Sequence, residues 1–181
     1  MRGRLALLLL LAALPCLSAD PVQLPRDPEG KVAFQEAFMV DGVSEPELYA
    51  RAKAWIKAKS TPQAMMMTDM TDGQSSATIS FRDAFPALTA NKAAQVTVYY
   101  ILTIETRDSR YRFTVDRITV AGPKDPRQFP LEQSFEDTIP KPGNERLPDD
   151  ILAKVQSISA DLKVGMNTPA PAAAPAATKP G

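Results

Sequence analysis

The stretch from Gln95 to Val120 constrains the fold of this chain more than any other. From Gln95 to Thr106 apolar residues fall at every second position, placing Val96, Val98, Tyr100, Leu102 and Ile104 on one side of an extended chain. A period of two marks a strand with one buried face. Arg107, Asp108, Ser109 and Arg110 read as a polar turn of about four residues, after which Tyr111, Phe113 and Val115 resume the alternation. The apolar parity flips at Ile118 and Val120, which predicts a bulge near Asp116 and Arg117. A long hairpin with one apolar face must bury that face, so the rest of the chain has to supply a cover.

Two helices are available for it. Leu48, Ala52, Trp55 and Ile56 recur at helical spacing and predict a helix from Glu45 to about Lys59. Ser44 and Glu47 have the spacing of a capping box, with Pro46 in the first turn. Trp55 lies on the apolar stripe of this helix and reads as an anchor against the sheet rather than a ligand-stacking residue. Pro148, Asp149 and Asp150 open a second helix whose stripe is Ile151, Val155, Ile158 and Leu162, with Gly165 as its expected stop. Lys31 to Val40 alternates as a strand with Val32, Phe34, Phe38 and Val40 on one face, and Asp41-Gly42 turns the chain into the first helix. Ala64–Thr68 and Thr78–Phe85 read as further strands joined around Asp72-Gly73. The expected fold is therefore α+β: an antiparallel sheet of about five strands in the order β-α-β-β-β-β-α, with the helices on one face, over residues 31–165.

The ends of the sequence are of another kind. Arg2 and Arg4 precede an apolar run from Leu5 to Leu14, and the small residues Ser18 and Ala19 follow. A run of that length engages an export machinery but is too short to cross a bilayer, so residues 1–19 read as a signal peptide and the protein as exported, to the periplasm or beyond. Pro15 directly before Cys16 argues against lipid attachment at that cysteine. Residues 20–30 form a Pro-rich leader, and residues 122–143 carry five prolines and read as a long irregular connection. Residues 166–181 form a Pro/Ala tail, expected to be disordered or polyproline-like.

Composition narrows the chemistry. The chain has no histidine, and Cys16 is its one cysteine. Ser-His-Asp and Cys-His catalysis and the common zinc sites are excluded in the mature chain, and so is a disulfide. Without Arg2 and Arg4 there are 19 basic and 21 acidic residues, a net charge of −2. That balance gives no long-range attraction to nucleic acid or anionic lipid. No segment after the leader region is apolar enough to span a membrane.

Short pieces in a distinctive order carry a resemblance. They are Leu24-Pro25 before Glu29-Gly30-Lys31-Val32, then Val43-Ser44 through Glu47-Leu48-Tyr49 and Ala52 to Ile56, then Tyr111 to Val115. Over residues 24 to 120 the chain resembles a family of exported bacterial domains of unknown function with a TBP-like fold. The resemblance implies that fold and a secreted setting. It supplies no catalytic residues, and the name refers to shape rather than to DNA binding.

Candidate sites are few. Met65, Met66, Met67 and Met70 form a thioether cluster that in principle suits Cu(I), but alternate methionines of a strand fill cores equally well. Tyr99 and Ile101 point away from the apolar face, sharing their side with Thr103 and, across the hairpin, Arg112. This mixed face is the candidate docking surface, against the plainer reading of an ordinary half-solvated sheet face. Glu36, Asp83, Glu105 and Asp116 sit in or beside strands, while Asp69, Asp72 and Asp108 read as turn residues. No catalytic residue, metal site or cofactor is expected. The sequence reads as a non-catalytic binding or assembly module of the cell envelope with an unidentified partner, the alternative being a carboxylate-based hydrolase or isomerase.

Overall fold

The computed structural model describes residues 22–59, 67–72, 76–88, 95–136 and 139–170. Its frame is a meander of long antiparallel strands. β3 (Ser76–Leu88), β4 (Gln95–Arg107) and β5 (Arg110–Ala121) pair in succession. β2 (Met67–Asp72) extends the sheet beyond β3, and β1 (Phe34–Met39) closes the other side against β5, giving the order β1-β5-β4-β3-β2. The chain crosses from β1 to β2 through α1 (Glu45–Lys59), which lies on the apolar side of the sheet. α2 (Leu147–Asn167) packs beside α1 on the same side. The architecture is α+β, with one sheet face covered by helices and the other free of helices among the described residues.

The predicted parity holds. Val98, Tyr100, Leu102 and Ile104 of β4, with Tyr111, Phe113 and Val115 of β5, are buried in one core with Leu48, Ala52, Trp55 and Ile56 of α1 and Ile151, Val155, Ile158 and Leu162 of α2. The bulge also falls where the parity flips. Tyr99 pairs with Thr119 but Ile101 pairs with Asp116, so Arg117 and Ile118 together oppose Tyr100. Arg117 adopts φ 49°, the left-handed conformation that lets Ile118 return to the core.

Several boundaries differ from the sequence reading. The hairpin turn is two residues, Asp108 and Ser109, rather than four; Ser109 takes φ 58°, so Arg107 and Arg110 can pair as the last rung. β2 is described over Met67–Asp72 and so continues past Thr68, which moves Asp69 out of a turn and into the ladder opposite Ile79, while residues 64–66 lie outside the described residues. β3 continues through Pro86 to Leu88. Among the described residues β2 reaches only as far as Phe81 along β3, so no described strand demands a ladder N–H from Pro86 on that side. The 122–143 connection is less irregular than its prolines suggest. Phe129–Pro130 forms a short strand, β6, on β5; a 3-10 turn (Leu131–Ser134) follows; Phe135–Glu136 and Ile139–Pro140 pair as β7 and β8. Leu131 and Phe135 are buried in the main core.

The helix ends are corrected too. The expected capping box is replaced by longer-range contacts: Asp108 Oδ1 accepts the Glu45 N–H at 2.7 Å, and Glu47 pairs with Arg51 at 2.9 Å. Gly165 does not stop α2, which runs on to Asn167 and buries Met166 completely, although that residue was assigned to the tail. The reason for the glycine is packing. A Cβ built there would collide with Trp55 Cδ1 and lie 3.1 Å from its Cγ. The leader, in contrast to a plain linker, folds back on the residues just before β1 through an isolated Arg26–Val32 bridge. Residues 1–21, where a signal peptide is expected, Met65, Met66 and residues 171–181 lie outside the described residues.

Candidate functional site

Because both helices cover one side of the sheet, the other side is built entirely from the alternate residues of the strands. The cross-strand register sorts it into rows. Ala84, Tyr99 and Thr119 form one row, Arg82, Ile101 and Asp116 the next. Then come Ser80, Thr103, Thr114 and Gln35, followed by Thr78, Glu105, Arg112 and Ala37. Tyr99, Ile101 and Thr103 are half-buried by their neighbours, and Arg112 is exposed. The four predicted residues thus share one face, as expected, and Arg112 stands four rungs from Ile101 along the hairpin.

Polar contacts organise the face. The Arg82 guanidinium lies 5.0 Å from the centre of the Tyr99 ring and donates to Gln128. Thr119 Oγ1 donates to the same Gln128 oxygen at 3.1 Å. Ser80 and Thr103 share a hydroxyl hydrogen bond of 2.8 Å. Glu105 accepts from Arg112 across the hairpin and from Arg107 Nη2 at 3.0 Å. Partial burial raises the affinity of the Glu105 carboxyl for its proton, but the two arginines outweigh this and hold it below the usual carboxylate range. Beyond Glu105, at the hairpin end, lies a recess of about 250 Å³ lined by Ala37, Glu105, Arg107, Arg110, Tyr111 and Arg112. Sequence reasoning assigned Arg107 and Arg110 to the turn and did not single out Arg82. Their parity was the available signal: Arg110 matches Arg112, and Arg82 matches Ser80.

A second concavity sits on the helix side. A cleft of about 350 Å³ opens between β3, β4 and the two helices, with Trp55, Lys59, Asp83, Tyr100, Lys154 and Asp161 on its walls. Tyr100 donates to Asp83 Oδ2 at 2.8 Å; burial first, and then the adjacent carboxylate, keep this phenol protonated far above its ordinary range. Asp161 accepts from Trp55 Nε1 at 3.1 Å and from Lys59 at 2.7 Å. The other strand carboxylates are dispersed. Glu36 accepts from Ser159 on the covered side, whereas Glu105 and Asp116 lie on the open side. Glu105 and the Ile101 rung that carries Asp116 are separated by about 13 Å of strand, beyond the roughly 5–9.5 Å of paired glycosidase carboxylates. Among the described residues no group of three or more His, Cys, Asp or Glu side chains could hold a metal ion. No helix among them is long and apolar enough to cross a membrane.

A five-stranded antiparallel sheet with helices on one side defines an α+β domain of the TBP-like fold. Residues 34–121 match the family described as a domain of unknown function (DUF4468) with TBP-like fold. The crystal structure of a DUF4468 family protein from Bacteroides ovatus ATCC 8483 is similar, with a TM-score of 0.61 and 14% identity over 81% of this chain and 92% of that one. A TBP-like protein from Parabacteroides distasonis ATCC 8503 gives a TM-score of 0.64 and 16% identity over 80% of this chain and 97% of that one. No curated protein matches the sequence.

Proposed function

We propose that this chain is an exported, non-catalytic binding or assembly module of the cell envelope that meets its partner through the open sheet face. The observation that carries the reading is a sheet face on which no helix lies among the described residues. Half-buried Tyr99 and Ile101 lie at its middle, bordered by arginines. An aromatic and an aliphatic side chain ringed by polar groups are the composition of a modest protein interface. Support for export comes from the basic and apolar residues at 2–14.

The face can be tested directly. Changing Tyr99 to Ser together with Ile101 to Thr should weaken in-cell crosslinking to the partner, by the roughly 2 kcal/mol or more of an interface hot spot. The melting temperature should stay nearly constant, because neither residue belongs to the core. Unchanged capture with unchanged stability would reject the docking role. Export has its own check: N-terminal sequencing of periplasmic or secreted material should find a start near Asp20, and unprocessed protein confined to the cytoplasm would contradict it.

A carboxylate-based periplasmic or secreted hydrolase or isomerase is the second reading. The cleft that brings Asp83 and Asp161 to one cavity favours it. Each acid already has a partner, Tyr100 for Asp83 and Trp55 with Lys59 for Asp161, which suits a structural role better.

A further inference from the structure

The outer edge of β1 and the recess beside it have complementary properties. Val40 donates its N–H to Ser109 of the hairpin turn at 2.9 Å, so the even-numbered residues of β1 direct their backbone groups toward β5. Gln35, Ala37 and Met39 therefore direct theirs outward. Ala33 has the same parity and uses it: its N–H donates to the Pro25 carbonyl of the leader at 3.2 Å. The leader's bridge is at Arg26–Val32, and among the described residues β1 pairs with no strand except β5. From Gln35 to Met39 no described strand pairs with this edge.

The side chains beside that edge are cationic. Arg107, Arg110 and Arg112 line the recess with one carboxylate, Glu105, among them. Arg107 and Arg112 both pair with Glu105, and Arg110 has no ion pair among the described residues. Glu105 thus fixes two guanidinium groups in place and leaves the recess with net positive charge. Ala37, directly opposite Arg112, contributes only a methyl group, so the recess opens toward the β1 edge. Met39 at the rim is 67% exposed and offers apolar contact.

We propose that the outer edge of β1 and the arginine recess beside it form one site for an extended acidic segment of a partner polypeptide. This rests on the open face being a docking surface, and it names the chemistry of what docks. A strand added to β1 would satisfy the outward N–H and C=O groups, and its side chains would alternate between the two faces. Those on the open face pass over Ala37 into the recess. A carboxylate there meets Arg110 and the free N–H groups of Arg107 and Arg112, the planar fork geometry that suits carboxylates. Nucleic acid fits less well: its binding is dominated by many phosphate contacts, and it has no use for the amide edge.

The test is fluorescence anisotropy of the full chain with a labelled peptide of alternating Glu and Thr, which puts every Glu on one side of a strand. Binding is expected, and a Lys–Thr peptide of the same length should not bind. Arg110→Ser should weaken binding about tenfold, the loss of one charge-assisted hydrogen bond. Glu105→Gln should tighten it, because a competing carboxylate is removed. Ala37→Pro deletes an outward N–H that the fold does not use and should abolish binding; should that variant fail to fold, a backbone N-methylated peptide makes the same measurement. A thymidine oligonucleotide binding as tightly as the peptide, citrate displacing it at comparable concentration, or an Arg110→Ser variant binding normally would each overturn the proposal. Normal Glu–Thr binding alongside an inert Tyr99/Ile101 double variant in cells would instead reject docking through those two residues and leave this site standing.

Discussion

Trp55→Ala is expected to lower the unfolding free energy by about 3–5 kcal/mol in urea denaturation. The indole is only 8% exposed and sits where three elements meet. Its ring meets Phe81 of β3 edge-on at 6.3 Å, its Nε1 donates to Asp161 of α2, and its Cβ and ring press on Gly165. Truncation leaves a cavity between helix and sheet and removes a hydrogen bond that also orients Asp161 toward Lys59. A loss below about 1 kcal/mol would place the ring in solvent and reopen its use as a ligand platform.

Gly165→Ala is the companion experiment, and its sign is informative. In an ordinary helix interior alanine is favoured over glycine by about 1 kcal/mol. Here the added methyl would overlap the Trp55 ring, which cannot move without disturbing Phe81 and Asp161. Overpacking of this kind costs about 1–3 kcal/mol. In the Trp55→Ala background the obstacle is gone, so the same substitution should be neutral or stabilising. Equal effects in the two backgrounds, measured by a double-mutant cycle, would show that the ring is not what excludes the side chain.

The same residue shows where sequence reasoning reaches its limit. Local periodicity is a property of one segment, and it placed Val98 to Ile104, Tyr111 to Val115 and the stripes of both helices on the correct faces. Even the bulge was visible, because a change of parity has few other causes. Gly165 was misread as a helix stop because its reason lies on another helix, at Trp55. The capping box at Ser44 was displaced by Asp108, which comes near α1 only once the hairpin is formed. The candidate face was legible as parity alone, so Tyr99, Ile101, Thr103 and Arg112 were grouped correctly. The recess was not, since it depends on a turn of two residues rather than four and on Ala37 arriving from a strand far away in sequence.

Arg117 is the extra residue of the register shift between β4 and β5. Without it, Asp116, Ile118 and Thr119 would face Ile101, Tyr100 and Tyr99 in unbroken succession, and the buried set on β5 would be the same. The left-handed turn at Arg117 therefore restores the same buried set, with Ile118 back in the core, beyond the added residue. Before the shift β5 is flanked by β1, and after it by β6. The shift thus marks the point at which one long strand passes from one neighbour to the other.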